Sequence, residues 1–576
     1  MKFKKILVLI LALAMALSVV ACNQEAGGSV SDERKETLYI TGLWWGPPNN
    51  FNHLTGWSAF PCNMNSNHLL YETMFMYNNV TESLEPLLAT SYEWIDEDSL
   101  EIKINEKARF SDGEKLTAED VIYTYDLGKK YPSATWSSIW EEVDSIELVD
   151  EYTLIMHANP DRNIHVAILE SICKTPIHPE HVWAKIEEEH DFDAGKITEF
   201  FNESPVASGP YKIDSYDDTK ITVVRNDDYW GKDLFGGLPA PKYITHLDFA
   251  SNDVATVEFE KGVLDYTENY MPSVWEMEGF GDTIKTYLPD APYYTNDTAP
   301  TIYLNQHRPG LNNVDVRRAL AHAIDYKKIA DTAMSGYSIP IEAGLFVNTD
   351  ASRATVDKGQ LEDLQWSYDV DEANAILDSI GAERGEDGIR VLPDGTRLGP
   401  WNVTCPAGWT EWNMALEIVS QSAKEVGIEI VVDFPDWGPY FNAMTTGEFD
   451  LIMNTPAAFV TPANPWKVYS EVLSSVGVPE IGEMAFWNYG RYHNDRANEI
   501  LELIPHANED ELKGYYTELN QIYLRDVPAI GLMYRPVYYY TVNESVWTGF
   551  PQAKDNLPAF FFDGAGIRGL YNLKNK

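Results

Sequence analysis

Residues 110–121 read FSDGEKLTAEDV, a stretch that combines a tight turn with the start of a helix. The tripeptide SDG at 111–113 predicts the turn, because glycine adopts backbone conformations that other residues avoid. Thr117 and Asp120 have the spacing of a capping box, in which each side chain accepts a hydrogen bond from the other residue's backbone N–H. Apolar residues then recur at helical spacing, which predicts a helix over 117–127.

Strand and helix patterns alternate on both sides of this stretch. Residues 36–40 have the pattern of a strand. Helices are predicted over 314–330 and over 413–426, and a strand over 428–433 follows the second of them. This alternation is typical of the α/β class.

Four further blocks stand in the order in which one protein family has them: SGPYK at 208–212, NDDYWG at 226–231, YLN at 303–305 and NVDVRRA at 313–319. Together with FSDGEKLTAEDV, they resemble the family 5 solute-binding proteins of ABC transporters, the peptide, oligosaccharide and nickel class. The resemblance covers nearly the whole chain. It implies a type II periplasmic-binding-protein-like fold, in which a solute is held between two lobes, without cofactor or turnover, for an ABC permease.

The resemblance also implies how the chain is divided. Lobe one is expected to be discontinuous and to carry an additional domain, whereas lobe two is one continuous insertion. The expected boundaries are 36–78, 205–304 and 527–576 for lobe one, 79–204 for the additional domain and 305–526 for lobe two. The hinge crossings are then expected near Asn305 and Val527.

The N-terminal residues have the features of a bacterial secretory signal. Three lysines precede a short apolar run, which is too short for a permanent membrane helix. The run ends in VVAC at 19–22, which resembles a lipobox and predicts a signal peptide over 1–21 and lipidation of Cys22. The alternative is an ordinary Ala-x-Ala cleavage site with an incidental thiol. Residues 22–35 are polar and are predicted to be a tether, which makes the protein extracytoplasmic and lipid-anchored.

The charge of the chain narrows the range of partners. It has 43 basic and 89 acidic residues, a formal net charge of -46. Such a surface repels phosphate backbones, so a nucleic acid partner is excluded, and we expect a monomer. Besides Cys22, the chain has Cys62, Cys173 and Cys405, without the spacing of a metal or redox motif, and we expect buried free thiols.

Aromatic and amide residues at the expected cleft point to a sugar. A pyranose ring has an apolar face that stacks on an indole, and hydroxyls that bond to amides and carboxylates. Stacking is expected on Trp45, Trp409 and Trp437, and the ligand is expected to be an oligosaccharide, such as one from a plant β-glycan. The candidate contacts are Trp45, Asn50, Asn52, Trp57, Asn269, Tyr270, Asn305, Trp409, Trp412, Trp437 and Trp466.

Three alternatives stay open to different degrees. An oligopeptide needs a carboxylate for its α-amino group, and Phe459 stands where the resemblance places that Asp, which disfavours a peptide. A metal site is not expected, because the HPEH sequence at 178–181 is poorly spaced for one ion. A glycoside-acting enzyme would suit an aromatic cleft equally well, although the family binds without turnover.

Overall fold

The structure is a computed structural model that describes residues 30–56, 58–63, 68–160, 165–456, 465–559, 562 and 564–576. The predicted signal peptide and lipidation site at Cys22 lie outside these residues, as do Trp57 and Phe459. Within the described part of the chain, no helix has both the length and the apolarity that crossing a membrane requires.

The strands are short and are numbered here along the chain. They are β1 (Thr37–Thr41), β2 (Phe75–Asn78), β3 (Ser83–Pro86), β4 (Ala89–Trp94), β5 (Ser99–Ile104), β6 (Val143–Asp150), β7 (Thr153–Ala158), β8 (Tyr211–Asp217), β9 (Lys220–Arg225), β10 (Tyr243–Leu247), β11 (Tyr266–Thr267), β12 (Ile284–Thr286), β13 (Thr301–Leu304), β14 (Glu383–Arg384), β15 (Arg390–Val391), β16 (Trp401–Thr404), β17 (Ile430–Asp433), β18 (Leu451–Asn454), β19 (Ala529–Gly531), β20 (Thr541–Asn543), β21 (Trp547–Thr548) and β22 (Lys574–Asn575).

The α-helices are numbered in the same way. They are α1 (Asp32–Glu36), α2 (Ala118–Lys130), α3 (His165–Lys174), α4 (Glu180–Glu189), α5 (Ala194–Thr198), α6 (Asn252–Glu260), α7 (Val314–Ala323), α8 (Tyr326–Lys328), α9 (Asp350–Ala354), α10 (Val370–Ser379), α11 (Thr410–Glu425), α12 (Trp437–Thr446), α13 (Pro465–Leu473), α14 (Asp495–Leu503), α15 (Glu509–Asp526) and α16 (Gly569–Asn572). Single turns of 3-10 helix lie at His53–Thr55, Ser137–Glu141, Trp230–Asp233, Val274–Glu276, Lys358–Gln360, Glu362–Leu364, Ile504–His506, Ala553–Asp555 and Gly564–Arg568, and a π-helical turn at Ile329–Ala333.

The first sheet has the strand order β12-β20-β11-β1-β10-β9-β8. Strand β1 runs parallel to both β10 and β11, so the carboxyl ends of these three strands lie at one edge. Strand β20 is antiparallel to β11 and to β12, so it begins at that edge, whereas β12 ends there. We call this sheet and the segments packed on it lobe one.

The second sheet has the order β17-β16-β18-β13-β19. Its strands β16, β17 and β18 are parallel, so they too share a carboxyl edge. Strand β13 is antiparallel to β18 and to β19, and therefore begins at this edge, where β19 ends. We call this sheet with its helices lobe two.

Two segments join the sheets, and both do so at these carboxyl edges. Residues 287–300 lead from β12 to β13, and residues 532–540 lead from β19 back to β20. Thr298 and Arg535 pair as an antiparallel bridge between the two crossings. The prediction of crossings near Asn305 and Val527 is therefore wrong in position, because both residues lie at the opposite ends of strands that belong to the second sheet.

The third sheet, β4-β5-β7-β6, is antiparallel and lies within the predicted additional domain. The predicted turn and helix at 110–121 lie beside it, and both are confirmed. Gly113 has a positive φ of 96°, and Asp120 accepts a hydrogen bond from Thr117 N at 2.9 Å. The same carboxylate accepts from Glu180 N at 3.0 Å, so it caps the start of α4 as well as that of α2.

The predicted tether is wrong at its carboxyl end. Residues 32–36 form α1, capped by Ser31, whose side chain accepts from Arg34 N. The guanidinium of Arg34 donates to both carboxylate oxygens of the buried Asp265, at 2.6 and 2.8 Å. This bidentate ion pair fixes the segment on lobe one, and polar composition alone did not reveal it.

The helix predicted over 314–330 is interrupted. Helix α7 ends at Ala323, because Ile324 adopts an extended conformation with ψ of 126°. Asp325 then accepts a hydrogen bond from Lys328 N and caps a new turn, α8. The helix predicted over 413–426 is confirmed as α11, although it begins three residues earlier.

Three clusters of buried apolar side chains centre on the three main sheets, and the cluster of the second sheet extends into lobe one through residues such as Phe259 and Ile284. Each cysteine of the described chain lies in a different one of these clusters. Cys62, Cys173 and Cys405 are all buried free thiols, as predicted.

Candidate functional site

The candidate site lies where the carboxyl edges of the first two sheets are joined. In open α/β sheets, ligands bind in the crevice outside the carboxyl ends of the strands. Lobe one contributes the segments 42–46, 248–252 and 268–270, which follow β1, β10 and β11. Lobe two contributes the segments that follow its parallel strands, namely 405–409, 434–437 and 455–456.

Lobe two carries a cluster of aromatic rings at this edge. Trp409 precedes α11, and its ring centroid lies 4.9 Å from that of Trp412 and 5.6 Å from that of Trp437. Trp437 begins α12 and stacks on Phe441 at 5.9 Å. Trp412 is buried, whereas Trp409 and Trp437 are half-buried. The structure thus brings together three of the predicted contacts.

The Nε1 group of Trp412 stands out within this cluster. It is buried and has no hydrogen-bond partner within the described residues. A buried donor without a partner is unfavourable by about 1–3 kcal/mol. The cluster therefore combines apolar ring surface with one indole N–H that a ligand hydroxyl or a water molecule can satisfy.

On lobe one, the loop after β1 is held by residues at the end of β10. His246 Nε2 accepts hydrogen bonds from Leu43 N and Trp44 N, at 3.1 and 3.2 Å. Burial lowers the pKa of His246 to about 3, so its ring is neutral and can accept. Asp248 accepts from Gly46 N at 2.9 Å. These contacts fix the backbone on both sides of Trp45, which is half-buried.

A polar network connects the two lobes beside the aromatic cluster. Asn269 Nδ2 donates to Asn252 Oδ1 at 3.0 Å, and Asn252 Nδ2 donates to Glu411 Oε2 at 3.2 Å. Glu411 Oε1 in turn accepts from Nε and Nη2 of Arg535, at 3.1 and 3.0 Å. The network joins α6 of lobe one, α11 of lobe two and the second crossing.

Tyr270, another predicted contact, also spans the lobes. Its hydroxyl lies 2.6 Å from Ser335 Oγ, and its ring contacts Tyr539 of the second crossing at 5.2 Å. The Tyr270 ring is buried. Asn269 and Tyr270 therefore lie at the lobe junction, where they position the edge.

A carboxyl group at the lobe-one edge was not predicted. Glu268 follows β11 directly, is buried and accepts a hydrogen bond from the hydroxyl of Tyr266. Burial raises the pKa of Glu268 well above its ordinary value, although the Tyr266 hydrogen bond and the charge of Arg535 act in the opposite direction. A carboxyl group has lone pairs beyond the one that the Tyr266 hydroxyl uses, so Glu268 can also accept a hydrogen bond from a ligand hydroxyl.

Three predicted contacts have structural roles instead. The amide of Asn52 donates to Ile197 O and Phe200 O, while its oxygen accepts from Leu54 N. The amide of Asn305 donates to Gly447 O and Phe449 O. We do not retain these two residues as ligand contacts, because their amides are saturated by the backbone.

Trp466 is the third of these residues. Its Nε1 donates to Leu501 O at 2.9 Å, which fixes α13 on α14. In contrast, the amide nitrogen of Asn50 stays available to a ligand. The Oδ1 atom of Asn50 accepts from Asn52 N, and its side chain lines a polar cavity. Trp57 lies outside the described residues.

The histidines of the HPEH sequence lie apart from this edge. His178 is enclosed by aromatic rings, including Tyr71 at 4.9 Å and Trp183 at 5.3 Å, whereas His181 pairs with Asp112 at 2.7 Å. In the part of the chain that the structure describes, no three His, Cys, Asp or Glu side chains are grouped so that they could hold a metal ion.

Sequence reasoning missed the network residues Asn252, Glu411 and Arg535, and also the buried carboxyl group of Glu268. Glu268 directly precedes Asn269, and Glu411 directly precedes Trp412; only the second residue of each pair was predicted as a ligand contact. The available signal was their position directly after a strand or at the start of a helix on the carboxyl edge. The partner of Glu411 could not be found in this way, because Arg535 lies 124 residues away.

Comparison with known proteins identifies the family. The model of the bacterial extracellular solute-binding proteins, family 5 Middle, matches residues 83–478. The chain belongs to this family of solute-binding proteins. It is thus an extracytoplasmic binding component of an ABC importer, as the sequence blocks indicated, and works with an ABC permease.

Two curated relatives and one solved structure are similar to the chain over most of its length. The chain is 23% identical over 505 residues to the probable peptide-binding protein YejA of Agrobacterium fabrum, covering 80% of each chain. It is 23% identical over 568 residues to the oligopeptide-binding protein AppA of Bacillus subtilis, covering 93% of this chain and 94% of AppA. A periplasmic oligopeptide-binding protein of Thermotoga maritima, solved with bound mannohexaose, superposes with a TM-score of 0.85 at 29% identity, covering 95% of this chain and 100% of that one. The two-lobed α/β fold is therefore confirmed.

Proposed function

We propose that this family 5 binding protein captures an oligosaccharide at the junction of its two lobes. The observation that carries the proposal is the cluster of Trp409, Trp412 and Trp437 at the carboxyl edge of lobe two. Indole rings offer the flat apolar surface that the C–H face of a pyranose stacks on. Trp45 offers a further stacking surface from lobe one, on a loop that His246 and Asp248 hold in place.

Polar groups suited to hydroxyls surround these rings. The N–H of Trp412 can donate a hydrogen bond within the edge, and the carboxyl group of Glu268 can accept one. Glu411 is already paired with Arg535, so its charge is compensated within the protein rather than left for a ligand ammonium. This arrangement favours a neutral, hydroxyl-rich ligand. The relative that holds mannohexaose supports the same ligand class.

An oligopeptide is the second candidate, and the names of the curated relatives favour it. A thermal-shift screen of the purified protein separates the two. A ligand at one hundred times its Kd that binds only the folded state stabilises it by about 2.7 kcal/mol. We expect manno-, cello- or xylo-oligosaccharides to raise the melting temperature, and stabilisation by di- to pentapeptides alone would refute the proposal.

The role of the aromatic cluster is tested by substitution. Trp437→Ala removes one stacking surface, and we expect affinity for the stabilising sugar to fall by about tenfold or more, since 1.4 kcal/mol corresponds to a factor of ten. Trp94→Ala is the matched control, because Trp94 is also half-buried but lies on β4 of the third sheet, where it stacks on His165 of α3. Equal losses in the two variants would remove the cluster from the site. Product analysis after long incubation checks that the sugar is bound without hydrolysis.

A further inference from the structure

The polar cavity beside Asn50 lies at the junction between lobe one and the predicted additional domain that carries the third sheet, which we call the added domain. It has a volume of about 410 Å³, within the range of about 300–1,000 Å³ that small-molecule sites occupy. Its lining comes from two regions that are distant in sequence: the segment 49–55 of lobe one and, in the added domain, the loop after α2 and the end of α5. The lining residues are Asn49, Asn50, Thr55, Ser133, Thr198 and Glu199.

The walls are held by hydrogen bonds that leave polar groups available. Ser133 Oγ donates to Leu54 O at 2.5 Å, which joins the added domain to lobe one. Thr198 Oγ1 donates to Ala194 O at 2.8 Å. Each hydroxyl oxygen keeps lone pairs for a ligand. Asn50 Oδ1 accepts from Asn52 N, and within the described residues its Nδ2 has no acceptor.

The composition of this lining selects a class of ligand. Every lining residue within the described chain is polar, so an apolar ligand would displace water from these groups without replacing their hydrogen bonds. Among the residues that the structure describes, the lining has no Lys, Arg or His to bind an anion, and it includes the carboxylate of Glu199. Amides and hydroxyls supply donors and acceptors together. A neutral compound with many hydroxyl groups matches this set.

The cavity is close to the sugar site proposed above. Four residues of chain lead from Trp45 to Asn49, and four residues span at most about 14 Å. An oligosaccharide of a few units that stacks on Trp45 can therefore reach the cavity along the segment between them.

We propose that this cavity is a distal subsite for one end of the oligosaccharide, so that the added domain contributes to selection of longer chains. This inference rests on the proposed function. It assigns Ser133, Thr198 and Glu199 of the added domain to hydroxyl recognition, together with Asn50 of lobe one.

Titration calorimetry with a series of manno-oligosaccharides, from the disaccharide to the hexasaccharide, tests the subsite. In the unmodified protein, we expect affinity to rise by about tenfold once the chain is long enough to reach the cavity, which corresponds to 1.4 kcal/mol. Thr198→Trp fills the cavity, Glu199→Gln removes its charge, and Asn50→Asp keeps the acceptor for Asn52 N while removing the donor. Glu188→Gln, at an exposed position on α4, is the control.

The subsite is supported if the three cavity variants abolish the gain with chain length, while Thr198→Trp and Glu199→Gln keep the affinity for short chains and the control behaves as the unmodified protein does. It is refuted if the gain persists in Thr198→Trp, or if chain length has no effect in the unmodified protein. These results differ from failure of the proposed function, in which no oligosaccharide of any length binds.

Discussion

The ion pair between Glu411 and Arg535 provides the sharpest test of how the lobes are held at the junction. Glu411 lies at the start of α11, where its side chain is only 2% exposed, whereas Arg535 lies on the second crossing and is 20% exposed. We consider Glu411→Gln, which keeps the size of the side chain but removes its charge. The NH2 group of the glutamine would also meet the NH2 group of Asn252, which now donates to Glu411 Oε2, and two donors cannot bond to each other.

The magnitude follows from the burial of the pair. Removing one partner of a fully buried ion pair destabilises a protein by about 3–5 kcal/mol. Arg535 is partly exposed and also donates to Pro536 O and Val537 O, which lessens the effect. We therefore expect Glu411→Gln to lower the free energy of unfolding by about 2–3 kcal/mol.

The assay is a double-mutant cycle with Glu411→Gln, Arg535→Gln and the double variant, each unfolded in urea and followed by tryptophan fluorescence. A cycle isolates the coupling between two residues in contact. The exposed pair of Lys115 and Glu151, with a similar separation of 2.8 Å, is the control. A coupling energy no larger than that of the control pair would show that the junction does not depend on this interaction.

Three further predictions concern pH, lobe contact and anchoring. Burial lowers the pKa of His178 to about 3, so the unfolded state takes up its proton first, and acidification from pH 6.5 to 5 should destabilise the protein by about 2 kcal/mol at this site. Burial raises the pKa of Glu72 to about 7, so acidification from pH 7 to 5 should stabilise the protein there by a similar amount. Measured by urea unfolding, acidification should therefore destabilise His178→Phe less than the unmodified protein, and Glu72→Gln more than the unmodified protein. A shift in the same direction for both variants would contradict these protonation states. Gly408 has a φ of 81°, and a Cβ at this position would lie 2.7 Å from Ala250 O; we expect Gly408→Ala to separate the lobes and weaken sugar binding, and unchanged titration calorimetry would argue against it. Cys22→Ser should abolish incorporation of radiolabelled palmitate and release the protein from membranes, whereas persistent labelling would exclude Cys22 as the anchor.

Local features could be predicted from the sequence because they depend on neighbouring residues. The turn at Gly113 and the capped helix after Thr117 need only the residues within one stretch, and both are present. The crossings could not be placed in the same way. Strand β13 belongs to the second sheet because its backbone pairs with β18, about 150 residues away, and no local pattern records that partner.

The residues of the candidate site also differ in how far the sequence could predict them. Trp409, Trp412 and Trp437 could be predicted, because residues after parallel strands converge at one edge whatever the details of packing. Asn52 and Asn305 look like equally good ligand groups in the sequence. Their amides are saturated by backbone carbonyls from distant segments, which only the folded chain shows.

The contacts of Asn252 indicate how a bound sugar would change the state that a permease meets. Across the lobes, its backbone N–H donates to Gly408 O at 3.3 Å, and its amide donates to Thr410 Oγ1 and Glu411 Oε2, at 3.3 and 3.2 Å. Each such hydrogen bond contributes about 0.5–1.5 kcal/mol, so these bonds alone hold the lobes together only weakly. A ligand shifts an equilibrium by the difference in its affinity for the two states. A sugar that stacks on Trp437 of lobe two and contacts Trp45 of lobe one makes both contacts only when the lobes are together, and it therefore adds its binding energy to the contacts that hold them together.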